Sequence, residues 1–337
     1  MCGAIDRRIP EGIVSKGRVI LAGGSGFLGR SLAKALLDEG YEVIVLTRAS
    51  LKSTGRVRCV EWDGRTHGDW NVWLEGAEVV VNLAGRSVNC RYNARNRQAI
   101  LGSRIQTTRA LGEAIGQCAH PPRLWLNSST ATIYKHSLDR AMDETTGEIG
   151  ATPEARDAFS IEVARAWERE LEKARTPATR KVALRSAMVF GTGEGGVFRV
   201  LRRLARLGLG GRMASGDQFV SWIHEEDFCR AIRWLIDRDD LSGAVNLAAP
   251  GSVPNREMMR AFRRVCGVRI GLPASRWMLE VGAVLLRTET ELIIKSRRVT
   301  PASLVASGFQ FRFSILEEAL RDLESRIAGN QRLPGRL

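Results

Sequence analysis

A glycine-rich turn near the N-terminus restricts the fold of this 337-residue chain more than any other feature. Residues 19–22 form an apolar run typical of a buried strand, and a GxxGxxG pattern follows at Gly23, Gly26 and Gly29. Apolar residues then recur at helical spacing over residues 28–37. Such a turn exposes backbone N–H groups at the positive end of a helix dipole, where they stabilise a phosphate. The pattern therefore predicts nucleotide binding in preference to a tight turn that holds no ligand.

Runs of strand character alternate with helical periodicity through the first 250 residues. Strands are expected over residues 42–46, 57–63, 77–81, 124–134, 181–189 and 244–248, and helices over 94–118, 158–174 and 197–208. Beyond residue 250, helices are expected near 254–266, 273–287 and 314–327. The alternation predicts an α/β fold, a doubly wound parallel sheet of Rossmann type with a smaller, mostly helical C-terminal substrate lobe. In such sheets ligands bind at the carboxyl ends of the strands.

The same reading predicts an interleaved domain organisation. We expect an N-terminal extension (1–16), a Rossmann domain (17–190 plus 220–250), a substrate lobe (191–219 plus 251–330) and a C-terminal tail (331–337). No apolar run reaches the length of a membrane span, and the first 16 residues lack the apolar core of a signal peptide. A cytoplasmic protein without a membrane partner is therefore expected.

Charge and cysteine usage narrow the function classes further. The net charge is +14, but the arginines are spread through the chain instead of forming one stripe with interleaved aromatics. This distribution favours solvated faces over nucleic-acid binding. None of the six cysteines forms a CxxC pair and the four histidines are isolated, so no metal site is expected.

Several motifs together resemble the extended short-chain dehydrogenase/reductases, a superfamily that includes the nucleotide-sugar epimerases. They are Gly23-Gly24-Ser25-Gly26-Phe27-Leu28-Gly29, Asn82-Leu83-Ala84-Gly85, Ser128-Ser129-Thr130-Ala131-Thr132-Ile133-Tyr134 and Val220-Ser221-Trp222-Ile223-His224-Glu225-Glu226-Asp227. Other marks are similar to an atypical branch usually labelled "epimerase family protein", or short-chain dehydrogenase/reductase family 39. These are Ser103-Arg104 with Thr107-Thr108, Trp167-Glu168, Gly216 with Gln218, Asn246 with Pro250, and Ser296-Arg297 to Pro301 with Gly308-Phe309. The resemblance covers roughly residues 17–325.

The resemblance implies NADP(H) binding, and the residues after the second strand agree with it. Dinucleotide folds that prefer NAD place an acidic residue there, whereas this chain has Thr47-Arg48. A guanidinium suits a 2′-phosphate, and Arg30 is placed to assist. The other implied cofactor positions are Gly23, Gly26, Phe27, Leu28, Gly29, Asp63, Leu83, Ala84, Gly85, Arg104, Ser128, Ser129 and Ala164. A surface arginine that caps a strand is the alternative for Arg48, and a helix-surface ion pair is the alternative for Arg104.

The chain departs from the superfamily at its catalytic pair. Extended reductases carry Tyr-x-x-x-Lys on the helix after the hydroxyl-rich strand, and the tyrosine acts as general acid or base. Here Ser160 takes the tyrosine position and Ala164 the lysine position, and neither can do that work. Thr130 falls on the family's catalytic Ser/Thr position, while Tyr134 is interpreted as structural. The candidate substitutes, each more typical of a surface or capping residue, are Glu162, Glu194, Asp217 and His224.

Two function classes stay open at this point. One is an NADP-dependent oxidoreductase or epimerase that acts on a small or nucleotide-linked polar substrate. The other is a non-catalytic NADP(H)-binding sensor or regulatory protein, since cofactor binding does not require the missing pair. The sequence leaves open the substrate, the acid or base, and the oligomeric state, a homodimer included.

Overall fold

The computed structural model describes residues 15–49, 52–285 and 289–331. Parts of three predictions lie outside these ranges: residues 1–14 of the N-terminal extension, residues 286–287 of the predicted helix over 273–287, and residues 332–337 of the C-terminal tail. The strands are β1 (Arg18–Ala22), β2 (Glu42–Thr47), β3 (Val57–Glu61), β4 (Val79–Asn82), β5 (Leu124–Thr130), β6 (Arg180–Ser186), β7 (Met188–Phe190), β8 (Phe219–Val220), β9 (Trp222–His224), β10 (Gly243–Leu247) and β11 (Val253–Pro254). The helices are α1 (Phe27–Asp38), α2 (Ala94–Gly116), α3 (Ala158–Lys173), α4 (Val197–Arg206), α5 (Glu225–Ile236), α6 (Asn255–Val265), α7 (Arg276–Leu285), α8 (Glu291–Ile294), α9 (Ala302–Ala306) and α10 (Leu316–Gln331).

Seven of these strands form one parallel sheet in the order β10-β6-β5-β4-β1-β2-β3. The chain runs outward from β1 through β2 to β3, then returns to the other side of β1 with β4. The strand order therefore reverses between β1 and β4, and ligands of open parallel sheets bind in the crevice at that point. The predicted doubly wound α/β sheet is confirmed, as is the helical C-terminal region.

Alternating side chains of the central strands build a core on each face of the sheet. Val19 and Leu21 of β1 lie on one face, in a cluster that includes Leu32 of α1 and Phe228 of α5. Ile20 of the same strand lies on the other face, in a cluster built largely by α2 and the neighbouring strands. Because both faces of a parallel sheet are covered by helices, its strands read as continuous apolar runs, as seen in the sequence.

A separate apolar cluster lies outside the main sheet. It is built mainly by α4, α6 and α10 and includes Phe198, Phe262 and Leu320. Two short strand pairs, β7 with β9 and β8 with β11, accompany these helices. No helix within the described ranges has the length and apolar character to cross a bilayer.

The predicted strand over 181–189 is two strands. β6 ends at Ser186, and the Ala187 N–H donates to the Leu247 carbonyl at 3.0 Å. The chain then leaves the main sheet, and β7 pairs with β9 instead. This break leaves no local signal, because residues on both sides of it are apolar. The two-residue strand β11 and the short helices α8 and α9 were likewise not predicted.

Candidate functional site

The three glycines of the first turn are required for different reasons. Gly23 has a positive φ of 74°, and a Cβ there would lie 2.7 Å from the Ala84 Cα. A Cβ at Gly29 would lie 2.4 Å from the Gly24 backbone, so α1 could not approach the turn. Gly26 is exposed with a φ of −73°, and a Cβ there would meet nothing closer than the Gly23 oxygen at 3.6 Å. The fold itself therefore does not require glycine at position 26, which leaves room for a ligand.

The N-terminus of α1 is open to an anion. Gly26 is its N-cap residue, no side chain caps the first turn, and that turn carries no acidic residue. Uncapped N–H groups and the helix dipole together favour a negatively charged group there. Phe27 lies under the glycine-rich loop of residues 191–196, since a Cβ at Gly193 would overlap its ring. Leu28 packs against the core cluster of the α1 face.

Cationic side chains stand beside this turn. Arg30 is exposed, and its Nη1 donates to the Ser25 carbonyl at 2.7 Å. Arg48, just after β2, is exposed as well, while the buried Thr47 hydroxyl donates to the Ser25 hydroxyl at 3.0 Å. Residues 47–49 contain no carboxylate that would repel a phosphate. The residues present fit a phosphorylated ribose better than a free 2′-hydroxyl.

The expected adenosine side is built by the ends of β3 and β4. Asp63 accepts hydrogen bonds from the Thr66 and Arg65 N–H groups, which hold the pKa of its carboxyl below the usual range. Its carboxylate therefore shapes the turn after β3, which ends at Glu61 and not at residue 63 as predicted. Leu83 and Ala84 are half-buried and Gly85 is exposed, directly after β4.

Arg104 reaches this side from α2. Its Nη1 donates to the carbonyls of Arg86 and Ile100 at 3.1 and 3.0 Å, and its guanidinium lies 4.9 Å from the Trp167 ring centroid. A Cβ at Gly85 would lie 3.5 Å from the Arg104 Cζ. Burial lowers the pKa of Arg104 to about 10. Among its described contacts there is no carboxylate, so the alternative of a surface ion pair does not describe this residue.

The hydroxyl groups at the end of β5 have different hydrogen-bond partners. The Ser129 hydroxyl donates to the Glu168 carboxylate at 2.6 Å, so it points towards α3. The Thr130 hydroxyl accepts the Thr132 N–H at 3.1 Å, and both Thr130 and Ser128 are half-buried. Thr130 therefore keeps its hydroxyl proton available to a ligand.

Tyr134 belongs to a buried network. Glu168 and Arg185 form a bidentate ion pair with two contacts of 2.8 Å. Arg185 also donates to the Tyr134 hydroxyl at 2.9 Å, and that hydroxyl donates to Asn246 at 3.0 Å. Burial raises the pKa of the Tyr134 phenol, so it stays neutral. The geometry agrees with a structural role for Tyr134.

The positions of the missing pair differ in their surroundings. Ala164 has 0% of its surface exposed and lies in an apolar cluster with Ala131, Tyr134 and Val299, so it does not border an open site. Ser160, one turn earlier on α3, is half-buried and donates its hydroxyl hydrogen to the Glu291 carboxylate.

The four candidate substitutes for the missing acid or base serve other purposes. Glu162 and Glu194 are exposed, and Asp217 forms an exposed ion pair with Arg256. His224 is fully buried, accepts the Glu226 N–H at the start of α5 and contacts Asp322 at 3.1 Å. Burial and then the charge of Arg326 lower the pKa of His224 to about 4.

Residues 289–297, here called the strap, supply charged groups of which the sequence interpretation identified only Arg297. Lys295 is buried and its Nζ donates to the Thr132 carbonyl at 2.6 Å and to the Asp157 carboxylate. Arg297 donates from Nε to the Thr132 hydroxyl at 3.0 Å. Burial lowers the pKa of Lys295 to about 8 and also lowers that of Arg297. Arg297 was part of a recognised motif, but nothing in the local pattern marked Glu291 or Lys295. The described ranges hold no group of three potential metal ligands.

Known proteins resemble this chain over most of its length. Residues 19–248 match the model of the NAD dependent epimerase/dehydratase family, and residues 274–323 match a domain of unknown function. The human epimerase family protein SDR39U1 is 31% identical over 313 residues, which covers 91% of this chain and 99% of that protein. Epimerase family protein YfhF of Bacillus subtilis is 30% identical over 314 residues, which covers 90% and 97%.

Solved structures show the same architecture. The crystal structure of human SDR39U1 (isoform 2) with NADPH superposes with a TM-score of 0.78 at 29% identity, over 91% of this chain and 99% of that one. MoeE5 in complex with UDP-glucuronic acid and NAD superposes with a TM-score of 0.74 over 93% and 100%, and at 21% identity this likeness shows the fold alone.

Proposed function

The chain belongs to the NAD-dependent epimerase/dehydratase family, and we propose that it binds NADP(H) and acts as an oxidoreductase or epimerase on a small or nucleotide-linked polar substrate. One observation carries the cofactor assignment. The N-terminus of α1 has no capping side chain and no acidic residue, and Arg30 lies in its first turn. Arg48 follows β2, at the position where NAD-preferring folds carry a carboxylate. The similarity to a human protein crystallised with NADPH supports the same assignment.

The chain's own residues divide the binding work along the crevice. The N-terminus of α1 would hold the pyrophosphate, with Gly26 giving it close access to the backbone. Arg48 would pair with the 2′-phosphate, and the residues after β4 would line the adenosine. The Thr130 hydroxyl would hydrogen-bond a substrate oxygen at the other end. When bound, NADP(H) supplies or accepts the hydride that no side chain can provide.

A non-catalytic sensor or regulator is the second candidate. The observation in its favour is the loss of the Tyr-x-x-x-Lys pair, with Ala164 enclosed by apolar side chains where the lysine would stand. A panel of carbonyl and sugar-nucleotide compounds, followed by the absorbance of the reduced cofactor, separates the two. Turnover on any member supports the enzyme, and NADPH binding with no turnover supports the sensor.

The cofactor assignment is tested by calorimetry at one salt concentration. NADPH should bind more tightly than NADH by about 1–3 kcal/mol if one charge-assisted pair carries the preference. Arg48→Asp should reverse the preference, because it places a carboxylate where NAD-preferring folds have one. Arg203→Asp changes an exposed arginine of α4 by the same charge and serves as the control. Equal affinities of the unmodified protein for the two nucleotides would contradict the assignment.

A further inference from the structure

The strap crosses the N-terminal end of α3 and the residues that follow β5. Its lysine connects the two, because Lys295 donates both to Asp157, at the start of α3, and to the Thr132 carbonyl. Arg297 adds a bond to the Thr132 hydroxyl, and Thr132 in turn donates its N–H to Thr130. The strap is therefore fixed against the segment that carries the expected catalytic hydroxyl.

Within this arrangement, Glu291 of the strap accepts the hydrogen bond of Ser160. Only 8% of the Glu291 surface is exposed to solvent. In the described part of the chain, no lysine or arginine side chain lies within ion-pair distance of its carboxylate. The titratable groups that act on the Glu291 carboxyl are Asp157 just before α3, Lys295 and Arg297 of the strap, and Tyr92 before α2. Burial outweighs the hydrogen bond from Ser160 and the two cations, which lower the pKa of the Glu291 carboxyl, and raises it above its ordinary value. This carboxyl therefore holds its proton to a higher pH than an exposed glutamate.

Tyr92 is the other hydroxyl near this pair, and it is unsuited to acid or base work. Its ring contacts Phe159 edge-on, with ring centroids 5.0 Å apart. Burial, followed by the charge of Glu291, raises the pKa of its phenol. A catalytic tyrosine needs the opposite shift, since its phenolate must be accessible near neutral pH. Tyr92 therefore lies beside the pair as a packing residue, and Ser160 and Glu291 are the groups considered for proton transfer.

We propose that Ser160 and Glu291 form a proton relay that replaces the missing tyrosine and lysine, and that the site acts on a ketone or the corresponding secondary alcohol. This inference rests on the proposed function, because the relay is useful only where a hydride is also transferred. Ser160 would touch the substrate oxygen, and Glu291 would act through it as a positioning residue that stores the proton.

The step balances in both directions. In reduction, the carbonyl carbon gains a hydride with its two electrons, and the C=O π pair moves to the oxygen. That oxygen takes the Ser160 hydroxyl proton while Ser160 takes the proton of the Glu291 carboxyl. Glu291 is left as a carboxylate and regains a proton from solvent after the alcohol leaves. In oxidation the same proton runs from the alcohol through Ser160 to an ionised Glu291 as the carbon loses its hydride.

Infrared spectroscopy of the full chain without nucleotide gives a readout that does not depend on activity. The carbonyl stretch of the protonated Glu291 carboxyl should titrate at a higher pH than that of an exposed glutamate, because burial raises its pKa. The band should disappear in Glu291→Gln and shift in Ser160→Ala, which removes its hydrogen-bond partner. Glu172→Gln, an exposed acid also on α3, is the control and should leave the band unchanged. A Glu291-dependent band that titrates no higher than the carboxyl of an exposed glutamate would overturn the relay.

Kinetics provide the second readout. With NADPH and the carbonyl panel, Ser160→Ala and Glu291→Gln should each lower the reduction rate about 10²–10⁴-fold. Any residual rate of Glu291→Gln should lose the fall with rising pH that the unmodified protein shows, whereas a merely structural defect would leave that profile in place. Full turnover in both variants would overturn the relay and leave the proposed function standing. No turnover by the unmodified protein on any compound would overturn both the relay and the catalytic assignment, while NADPH binding would be judged separately by calorimetry.

Discussion

The two ends of the crevice are built in different ways. At the cofactor end, strand, turn and helix come from one continuous stretch, and the groups that would bind phosphate are backbone N–H groups and flanking arginines. At the other end, Ser160 of α3 contacts Glu291 of the strap, and Asp157 just before α3 contacts Lys295. Both partners are more than 130 residues away in the chain. A contiguous site is visible in the sequence because its spacing is local. A site assembled by tertiary contacts is not, because each of its residues looks ordinary in its own neighbourhood.

The largest expected effect is on the free energy of unfolding, through the buried ion pair that holds the strap against the start of α3. Lys295→Met should lower the free energy of unfolding by about 3–5 kcal/mol, because it leaves the Asp157 carboxylate buried without its partner. Urea denaturation measures the loss. Adding Asp157→Asn should restore part of it, since the double variant no longer buries a lone charge. A loss below about 1 kcal/mol in the single variant would mean that the strap is not held by this pair.

At the contiguous end the largest effect should appear in binding and not in stability. Gly26→Val should weaken NADPH binding by about 100-fold or more, near 2.7 kcal/mol, because its side chain would occupy the path of the pyrophosphate. Circular dichroism and the urea midpoint should stay unchanged, since a Cβ at this position has no close protein neighbour. Gly29→Ala is the matched variant and should destabilise the fold, because its Cβ would overlap the Gly24 backbone. Retained affinity in Gly26→Val would make the turn purely structural.

The same distinction explains what could be predicted from the sequence. The sheet, the glycine turn and the arginine after β2 follow from local periodicity and spacing. The structure confirms the sheet and brings Thr47, which precedes Arg48, into hydrogen-bond contact with the turn. Ser160 is singled out by the sequence only because it stands where the superfamily has its catalytic tyrosine. Its partner Glu291 escaped prediction because hydrogen bonds across 131 residues leave no trace in local patterning. The end of β3 was placed two residues too late because Trp62 is buried like a strand residue, while Asp63 instead turns the chain by accepting backbone N–H groups.

A smaller effect is expected from His224, through the pH dependence of the free energy of unfolding. His224 lies in a motif shared with the superfamily, yet it is buried and caps α5. Its folded pKa is lowered to about 4, so its contribution to stability is present above pH 6.5 and is lost as the pH falls towards about 4. The unfolding free energy should therefore fall by up to about 2 kcal/mol between pH 7 and pH 5 on this account. His224→Asn keeps an N-cap acceptor but cannot titrate, and its urea midpoints should show a correspondingly weaker loss.

The smallest expected effect concerns Arg30, beside the same turn. Its guanidinium is exposed and already donates to the Ser25 carbonyl. The attraction between Arg30 and a bound phosphate is therefore expected to be weak. Arg30→Ala should weaken NADPH binding by less than about 1 kcal/mol, because exposed ion pairs are largely offset by hydration and side-chain entropy. The loss should shrink as salt is raised, since the Debye length falls from about 10 Å at 0.1 M to about 3 Å at 1 M. NADH binding should change less than NADPH binding, because NADH lacks the 2′-phosphate. An equal loss for both nucleotides, independent of salt, would instead show that Arg30 supports the turn through Ser25 and does not recognise the ligand.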